Sequence, residues 1–351
     1  MLSTKKTKIL MILATGTILI IIILFAILLF LSPGKPKPFL NANNNLLENS
    51  ISEKVFLEIN GSLQGLFIKG ENSNNPVILY LHGGMPDYFL TEKYPTYLDK
   101  NFVMVWWEQR GCGISFNSNQ ADSNVTLEQL TDDAITLTKY LMNRFNKDKI
   151  YLMGHSGGTF LAIHVVDKAP ELYHAYIGVA QITDQRESEK LAIQFMLSKS
   201  EEINEKKTVE ILERVSDFDK GDLPEEYIKI RDIVMHKLGI GTMREMRNLV
   251  TDLVLPSLLF REYTIPEKYN LWAGKSKSGI SQNWNRIFNT NLRESKTVFK
   301  VPVYFFHGIY DYTCSYNLAK EYFKLIEAPV KGFYTFSESA HSPLFEEPEK
   351  M

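Results

Sequence analysis

Short apolar segments alternate with helical patterns along most of this chain, and no other feature constrains the fold as tightly. Leu127–Phe145 has apolar residues at helical spacing, and Gly157–Ala169 and Tyr316–Ile326 also predict helices. Strands that alternate with helices predict a mostly parallel sheet covered on both faces. The predicted strands are Val55–Ile59, Leu63–Lys69, Val77–Leu81, Phe102–Trp107, Ile150–Met153, Ala175–Ala180, Val301–Phe306 and Gly332–Phe336.

The alternation stops between about residue 183 and residue 295. Segments such as Glu187–Ser198 and Tyr227–Leu238 predict helices with charged faces, and none of this region predicts a convincing strand. A sheet interrupted by a helical insertion is typical of a core with a cap. We therefore expect a core formed by residues 51–182 and 296–351, with a helical cap at 183–295.

The N-terminal part departs from this globular pattern. From Ile9 to Leu31 there are 23 residues without a charge, and a helix of that length spans the bilayer core of about 30 Å. A signal peptide is the competing interpretation, but its apolar region is usually about 7–15 residues long, and Phe30-Leu31-Ser32-Pro33 is a poor cleavage site. We predict an uncleaved transmembrane anchor at 9–31, between an N-terminus at 1–8 and a linker at 32–50.

Charges around this anchor predict its orientation. Lys5, Lys6 and Lys8 precede the apolar run, whereas Lys35 and Lys37 follow it. Together with the terminal amine, this small excess favours a cytoplasmic N-terminus. We expect a single-pass protein that contacts the lipid bilayer through this helix and has its main domain outside the cytoplasm.

The composition excludes several classes of protein. Apolar residues make up 44% and charged residues 23% of the chain, and the formal net charge is −2. The sequence has no basic stripe with interleaved aromatic residues, so a nucleic-acid partner is not expected. The two cysteines, Cys112 and Cys314, are too few for a disulfide framework or a zinc cluster, and no metal site is expected.

A short motif supplies a candidate nucleophile. Gly154-His155-Ser156-Gly157-Gly158 matches G-x-S-x-G and lies between a predicted strand and a predicted helix. In that context the glycines permit a sharp turn that lifts the serine hydroxyl out of the sheet. The pattern alone occurs by chance in about one in ten chains of this length, so the context carries the prediction that Ser156 is the nucleophile. The alternative is an idle serine in a glycine-rich turn.

A serine nucleophile needs a base, and the base needs an orienting acid. In sheets with this serine turn the chain order is serine, acid, histidine. The run Val301–Phe306 leads to Asp311, and of the seven histidines only His341 lies beyond it. Glu338 competes as the acid, but it is only three residues from His341 and therefore too close in the chain to orient it. We predict His341 as the base and Asp311 as the acid.

Acyl transfer also needs hydrogen-bond donors for the oxyanion. One is the backbone N–H of the residue after the nucleophile, which is Gly157. The second comes from the loop after an earlier strand, here His82-Gly83-Gly84-Met85. We favour Gly84, with Gly83 as the alternative.

Together these motifs resemble the proline iminopeptidases of the α/β-hydrolase superfamily. Those enzymes carry an H-G-G-P-G loop and a D-Q-R-G-x-G-x-S segment. Here His82-Gly83-Gly84 is followed by Met85-Pro86, and Glu108 replaces the leading aspartate of the second segment. The serine turn has Gly157 where those peptidases often have tryptophan. The resemblance covers residues 51–182 and 296–351.

The resemblance implies an α/β-hydrolase fold without metal or organic cofactor. The implied activity is removal of an N-terminal residue, often proline, from short peptides or arylamides through an acyl-enzyme. Acidic cap residues hold the substrate amine in that family, and Glu187, Glu189, Glu201 and Glu202 are available here, although none is assigned.

Arg110 is expected to form a structural ion pair behind the active site. Cys112 and Cys314 follow strands that are not neighbours in this fold, so no disulfide is expected.

Two other functions fit the same residues. A carboxylesterase or lipase would use the same serine, acid and histidine on an ester, and an apolar cap would favour it. A non-catalytic receptor on a hydrolase scaffold is the second alternative, because a fold does not determine a function. The sequence makes no prediction of the oligomeric state.

Overall fold

The computed structural model describes residues 2–118, 125–216, 218 and 222–351. Its strands are β1 (Ile51–Ile59), β2 (Ser62–Gly70), β3 (Val77–Leu81), β4 (Val103–Glu108), β5 (Ile150–His155), β6 (Tyr173–Val179), β7 (Val303–Gly308) and β8 (Lys331–Phe336). They form one sheet in the order β1-β2-β4-β3-β5-β6-β7-β8. The contacts of β2 with β1 and β4 are antiparallel, and all others are parallel. The mostly parallel sheet predicted from the alternation is confirmed.

Helices cover both faces of this sheet. The core and N-terminal helices are α1 (Leu2–Phe30), α2 (Leu127–Phe145), α3 (Gly157–Lys168), α12 (Tyr316–Leu325) and α13 (Pro343–Glu346). Between β6 and β7 lie α4 (Gln185–Glu202), α5 (Lys206–Val215), α6 (Glu225–Leu238), α7 (Leu255–Leu259), α8 (Ile265–Ala273), α9 (Gly279–Gln282), α10 (Trp284–Phe288) and α11 (Leu292–Ser295). Within the described residues from 183 to 295 no strand occurs.

The alternating side chains of β3 show how the two faces are filled. Leu79 and Leu81 pack in the same apolar cluster as α2 and α3. Ile78 and Tyr80 point to the other face, where they join a cluster with Phe345 of α13. Because β3 is apolar on both faces, its position in the middle of the sheet follows from its sequence.

The first strand begins earlier than its pattern indicates. The prediction began at Val55, whereas β1 begins at Ile51 and pairs with β2 along its whole length. The added residues Ser52 to Lys54 are polar and half-buried at the sheet edge, so hydrophobic patterning does not mark them. The connection through Asn60-Gly61 forms a hairpin turn in which both residues have a positive φ.

The helix α1 contains an apolar stretch from Leu10 to Phe30, 21 residues long with a mean hydropathy of 3.1. None of the side chains of this stretch is buried in the described protein. The stretch is long and apolar enough to cross a membrane, a property that a membrane span shares with a signal sequence.

Two structural expectations about the core are confirmed. Arg110 donates to both carboxylate oxygens of the fully buried Asp133, at 2.7 and 3.0 Å, and so forms the predicted ion pair. Cys112 and Cys314 are both free and buried.

After His341 the chain forms only the single turn α13, whose Leu344 and Phe345 are buried.

Candidate active site

The turn from β5 to α3 holds Ser156 in a strained conformation. Its φ of 55° and ψ of −125° lie in a region that L-residues rarely adopt. A Cβ atom at Gly154 would lie 2.6 Å from the Gly158 carbonyl oxygen, and one at Gly158 would collide with the Leu81 carbonyl oxygen of β3. The glycines of the motif are therefore required because backbone passes against backbone here.

Asp311 and His341, predicted from chain order, lie next to each other. His341 Nδ1 donates to Asp311 Oδ2 at 2.9 Å. Asp311 Oδ1 accepts the backbone N–H of Cys314 at 2.8 Å, and His307 Nε2 lies 3.1 Å from Oδ2. The Asp311 side chain is fully buried, and the His341 ring and the Cys314 N–H supply the hydrogen bonds that a buried carboxylate requires.

The charges of this pair follow from its surroundings. Burial alone raises the pKa of Asp311, but His341 and His307 hold that pKa well below its ordinary value. Burial lowers the pKa of His341 below its ordinary value, although the Asp311 carboxylate opposes this. At neutral pH the pair is therefore a carboxylate beside a neutral imidazole.

Glu338, the competing acid, points elsewhere. Its side chain is 76% exposed and lies 3.6 Å from Arg244 of the cap. The carboxylate that contacts His341 in the structure is that of Asp311.

The predicted oxyanion donors lie around Ser156. Gly157 is the first residue of α3, so its N–H has no partner within the helix. A Cβ atom at Gly83 would lie 2.8 Å from the Ser156 Cβ, which leaves room only for glycine. A Cβ atom at Gly84 would meet no other atom within 4 Å. Gly84 lines two cavities together with Ser156.

His155, the variable residue of the serine motif, connects the site to the core. Its Nδ1 donates to Asp87 Oδ2 at 3.1 Å, and its Nε2 donates to the His341 carbonyl at 2.9 Å. Tyr80 donates to the same oxygen of Asp87 at 2.5 Å. Burial alone lowers the pKa of His155, but Asp87, the His341 carbonyl and Asp311 together raise this pKa above its ordinary value. His155 thus connects the buried Asp87 to the backbone of His341.

Two cavities meet at Ser156. One has a volume of about 210 Å³ and is also lined by His155 and His341. The other has a volume of about 620 Å³ and is walled by Trp272 and Trp284. Gly84, Ser156, Arg231, Lys275 and Thr313 line both cavities.

In the part of the chain that the structure describes, no group of three His, Cys, Asp or Glu side chains is placed to hold a metal ion.

The candidate cap acids do not reach these cavities. Glu189 is fully buried, and its carboxylate accepts hydrogen bonds from Nε and Nη2 of Arg231, each at 2.7 Å. Tyr227 also donates to Glu189 at 2.7 Å. Among the described residues that line the two cavities, the carboxylates are Asp87 and Asp232.

Among the described cap carboxylates, Asp232 lines the cavity that contains Ser156. Its Oδ1 accepts Arg231 Nη1 at 2.9 Å, and half of its side chain is exposed. Burial raises the pKa of Asp232, but Arg231 and Lys275 hold that pKa below its ordinary value. Asp232 is therefore ionised at neutral pH.

Glu108, which stands where the resembling family has aspartate, lies behind the site. It accepts the Ile114 N–H at 2.6 Å and the hydroxyl of Tyr263 from the cap. Burial raises the pKa of Glu108 to about 7. A Cβ atom at Gly113 would collide with this carboxylate, so Gly113 accommodates the longer acid.

Comparison with known proteins identifies a family for this chain. The family described as serine aminopeptidase, S33, matches residues 72–253. A probable aminopeptidase of Bacillus subtilis, YbaC, is 31% identical over 310 residues, which cover 86% of this chain and 94% of that protein. The chain belongs to the serine aminopeptidase S33 family. It is a hydrolase, and the resemblance inferred from the motifs is confirmed.

Solved structures show the same fold. A proline iminopeptidase-related protein of Thermus thermophilus has a TM-score of 0.57 and 18% identity, covering 86% of this chain and 94% of that chain. An esterase of Exiguobacterium antarcticum has a TM-score of 0.51 and 14% identity, covering 85% and 96%. At these identities the likeness concerns the α/β-hydrolase fold alone.

Sequence reasoning missed several residues that surround Ser156. His155 was visible as part of the serine motif, but its partner Asp87 carries no local signal. His307 also carries no local signal of its contact with Asp311. Arg231 and Asp232 lie in the cap, where a charged helical face gives no indication of which side chains turn inward.

The strain at Ser156 leads to a stability prediction. Ser156→Gly and Ser156→Ala both remove the hydroxyl, but only glycine relieves the positive φ. After the entropic cost of glycine, we expect Ser156→Gly to be more stable than Ser156→Ala by about 1 kcal/mol. Urea unfolding of the two variants measures this difference. Equal or reversed stabilities would show that the turn is not strained.

Proposed function

We propose that this protein is an aminopeptidase that removes the N-terminal residue of short peptides through an acyl-enzyme on Ser156. The observation that carries the proposal is the strained serine in a cavity with His341, whose Nδ1 is held by the buried Asp311 at 2.9 Å. Membership of the S33 family and the name of the YbaC relative support the peptide substrate.

In the proposed mechanism Ser156 Oγ attacks the carbonyl carbon of the scissile amide. His341 Nε2 accepts the serine proton and then donates it to the leaving nitrogen, so that the amine departs neutral. The N–H groups of Gly157 and Gly84 stabilise the oxyanion that forms in each half-reaction. A water molecule, activated by the same imidazole, resolves the acyl-enzyme. Asp311 keeps His341 in the tautomer that this sequence requires.

We assign recognition of the substrate amine to Asp232. An aminopeptidase needs a carboxylate for the ammonium group at the end of its substrate. Glu189 is already saturated by Arg231 and Tyr227. Asp87 is buried, with one oxygen held by His155 and Tyr80 and the other enclosed in the protein. Asp232 faces the same cavity as Ser156, and only one of its oxygens accepts from Arg231.

An ester hydrolase is the second candidate. The larger cavity is lined by Arg231 and Lys275, and no carboxylate lies among its described lining residues. Its walls include Ile182, Trp272 and Trp284. This environment suits a neutral or anionic acyl group better than a cationic one.

We further propose that α1 anchors the enzyme as a single membrane span with the catalytic domain outside the cytoplasm. Its apolar stretch has the length of a bilayer core, and the lysines at its N-terminal side favour a cytoplasmic start.

Substitution of the acid tests the proposed machinery. Asp311→Asn preserves the shape of the side chain but permits the wrong tautomer of His341, so we expect kcat to fall about 10³- to 10⁴-fold. Glu338→Gln is the matched control and should stay close to the wild-type rate. Steady-state hydrolysis of an aminoacyl-arylamide measures both. A loss of activity in Glu338→Gln with little change in Asp311→Asn would reverse the assignment.

The pH profile tests the proposed base. His341 must be neutral to accept the serine proton, and burial lowers its pKa. We therefore expect kcat/KM to be constant near pH 7–8 and to fall with decreasing pH through a midpoint below about 6.5. A midpoint above neutrality, or a profile without an acid limb, would contradict this role.

A substrate panel separates the two candidate activities. We expect prolyl-, alanyl- and leucyl-arylamides to be cleaved faster than short acyl esters and faster than an N-acetylated alanyl-arylamide. Asp232→Asn should raise KM for the free-amine substrates about 10- to 100-fold, because this factor corresponds to the free energy of one charged hydrogen bond. It should leave ester hydrolysis unchanged.

The matched control is Glu202→Gln, which alters an exposed cap acid paired with Lys199. Faster cleavage of esters and of the acetylated substrate, with no effect of Asp232→Asn, would favour the ester hydrolase. Labelling by a fluorophosphonate that is lost in Ser156→Ala distinguishes either enzyme from a non-catalytic receptor.

A further inference from the structure

One segment of the cap turns apolar side chains outward. A turn of π-helix at Val250–Val254 continues directly into α7, and from Leu253 to Phe260 the sequence has no charge. Leu253 and Phe260 are buried on the inner side. Val250, Leu255 and Leu259 are exposed at 62%, 46% and 46%. A water-facing helix normally presents polar residues outward, so this outer face indicates a partner.

The end of α1 is attached to this segment. The buried Lys268 donates to the Leu31 carbonyl at 2.9 Å, to Ser32 Oγ at 2.8 Å and to the Leu258 carbonyl at 2.6 Å. One ammonium group thus joins the C-terminal end of α1 to α7. A lysine is suited to this place because carbonyl groups at a helix end carry partial negative charge.

A second set of contacts strengthens this attachment. The N–H of Gly34 donates to the Arg261 carbonyl at 3.1 Å. The Arg261 guanidinium lies 5.2 Å from the centre of the Phe30 ring. The catalytic domain is therefore held against the end of α1 by the residues that directly follow α7.

The length of α1 determines the level of this junction. The apolar stretch Leu10–Phe30 is about 30 Å long at 1.5 Å per residue, which equals the hydrocarbon thickness of a bilayer. Phe30 then lies at the boundary between acyl chains and headgroups. Because Lys268 bonds both Leu31 and Leu258, α7 lies at the same boundary.

The charges near the junction suit a lipid surface. Lys35, Lys37 and Arg261 are all exposed and lie within or against the segment that follows α1. Exposed cations beside an apolar helix face are the combination that binds anionic headgroups while burying apolar side chains among the acyl chains.

We propose that the outer face of this segment, formed by Val250, Leu255 and Leu259, rests in the surface of the bilayer that α1 spans. The proposal depends on the membrane span proposed above. Leu253, on the inner side of the same segment, lines the cavity that contains Ser156. One short helical segment therefore separates the active-site cavity from the lipid.

Site-specific fluorescence in the full-length protein tests this placement. Cys112 and Cys314 are buried, so a cysteine introduced at an exposed position is labelled selectively. Leu255→Cys and Leu259→Cys, each carrying an environment-sensitive fluorophore, are reconstituted into phosphatidylcholine–phosphatidylglycerol vesicles. Some of the lipid carries a spin label near the head of its acyl chain, which quenches fluorophores at that depth.

Two further labels serve as references. Leu29→Cys reports whether α1 is in the bilayer at the same depth. Val330→Cys is the reference away from the membrane, and Val330 is about as exposed as Leu255 and Leu259. It lies next to β8, at one edge of the sheet, whereas β1 and β2, which contact the linker, lie at the other edge. Fluorophosphonate labelling of every variant verifies that the domain is folded.

We expect the labels at 255 and 259 to lose as much fluorescence as the label at 29, and the label at 330 to lose none. Quenching at 29 without quenching at 255 and 259 overturns this proposal and leaves the anchor intact. Equal quenching at 255, 259 and 330 also overturns it, because the contact would then be unspecific. Absence of quenching at 29 overturns the anchor and this proposal together.

Discussion

The close passage of backbone at the β5–α3 turn is the constraint on which the rest of the site depends. Gly158 packs against the end of β3, and Gly83 from the following loop packs against Ser156. Nothing larger than hydrogen fits between these segments, so the serine turn and the loop with the candidate oxyanion donors have one relative position. The strain of Ser156 is maintained because the parallel strands on both sides of β5 leave the turn no room to relax.

Around this turn the buried charges are paired. Asp311 faces two histidines, Asp87 faces His155, and Glu189 faces Arg231. A buried charge without a partner is costly, so these pairs hold their elements together. These contacts also bear on specificity, because Glu189 is saturated by its partners and Asp87 is buried, so a substrate amine reaches neither carboxylate. Among the described carboxylates of the cavities, the partly exposed Asp232 is left for the proposed amine contact.

Much of the core was predictable because its signals are local. Glycines around Ser156, an aspartate after a late strand and a single histidine beyond it were enough to predict that Asp311 and His341 meet. The start of β1 was not predictable, since its first residues are polar and their pairing with β2 is what makes them a strand. The contact of His307 with Asp311 was not predictable, because it depends on how the loop after β7 folds back.

The sequence by itself determined the strand–helix alternation, the serine turn, the order of the catalytic candidates and the length of the N-terminal apolar helix. The spacing of residues that are close in the chain indicates each of these features. Only the tertiary structure decided that Arg231 neutralises Glu189, that Asp232 faces the cavity, and that Lys268 joins α1 to α7. Those contacts join side chains far apart in the chain, and a helix with charges on several faces carries no local sign of which face turns inward.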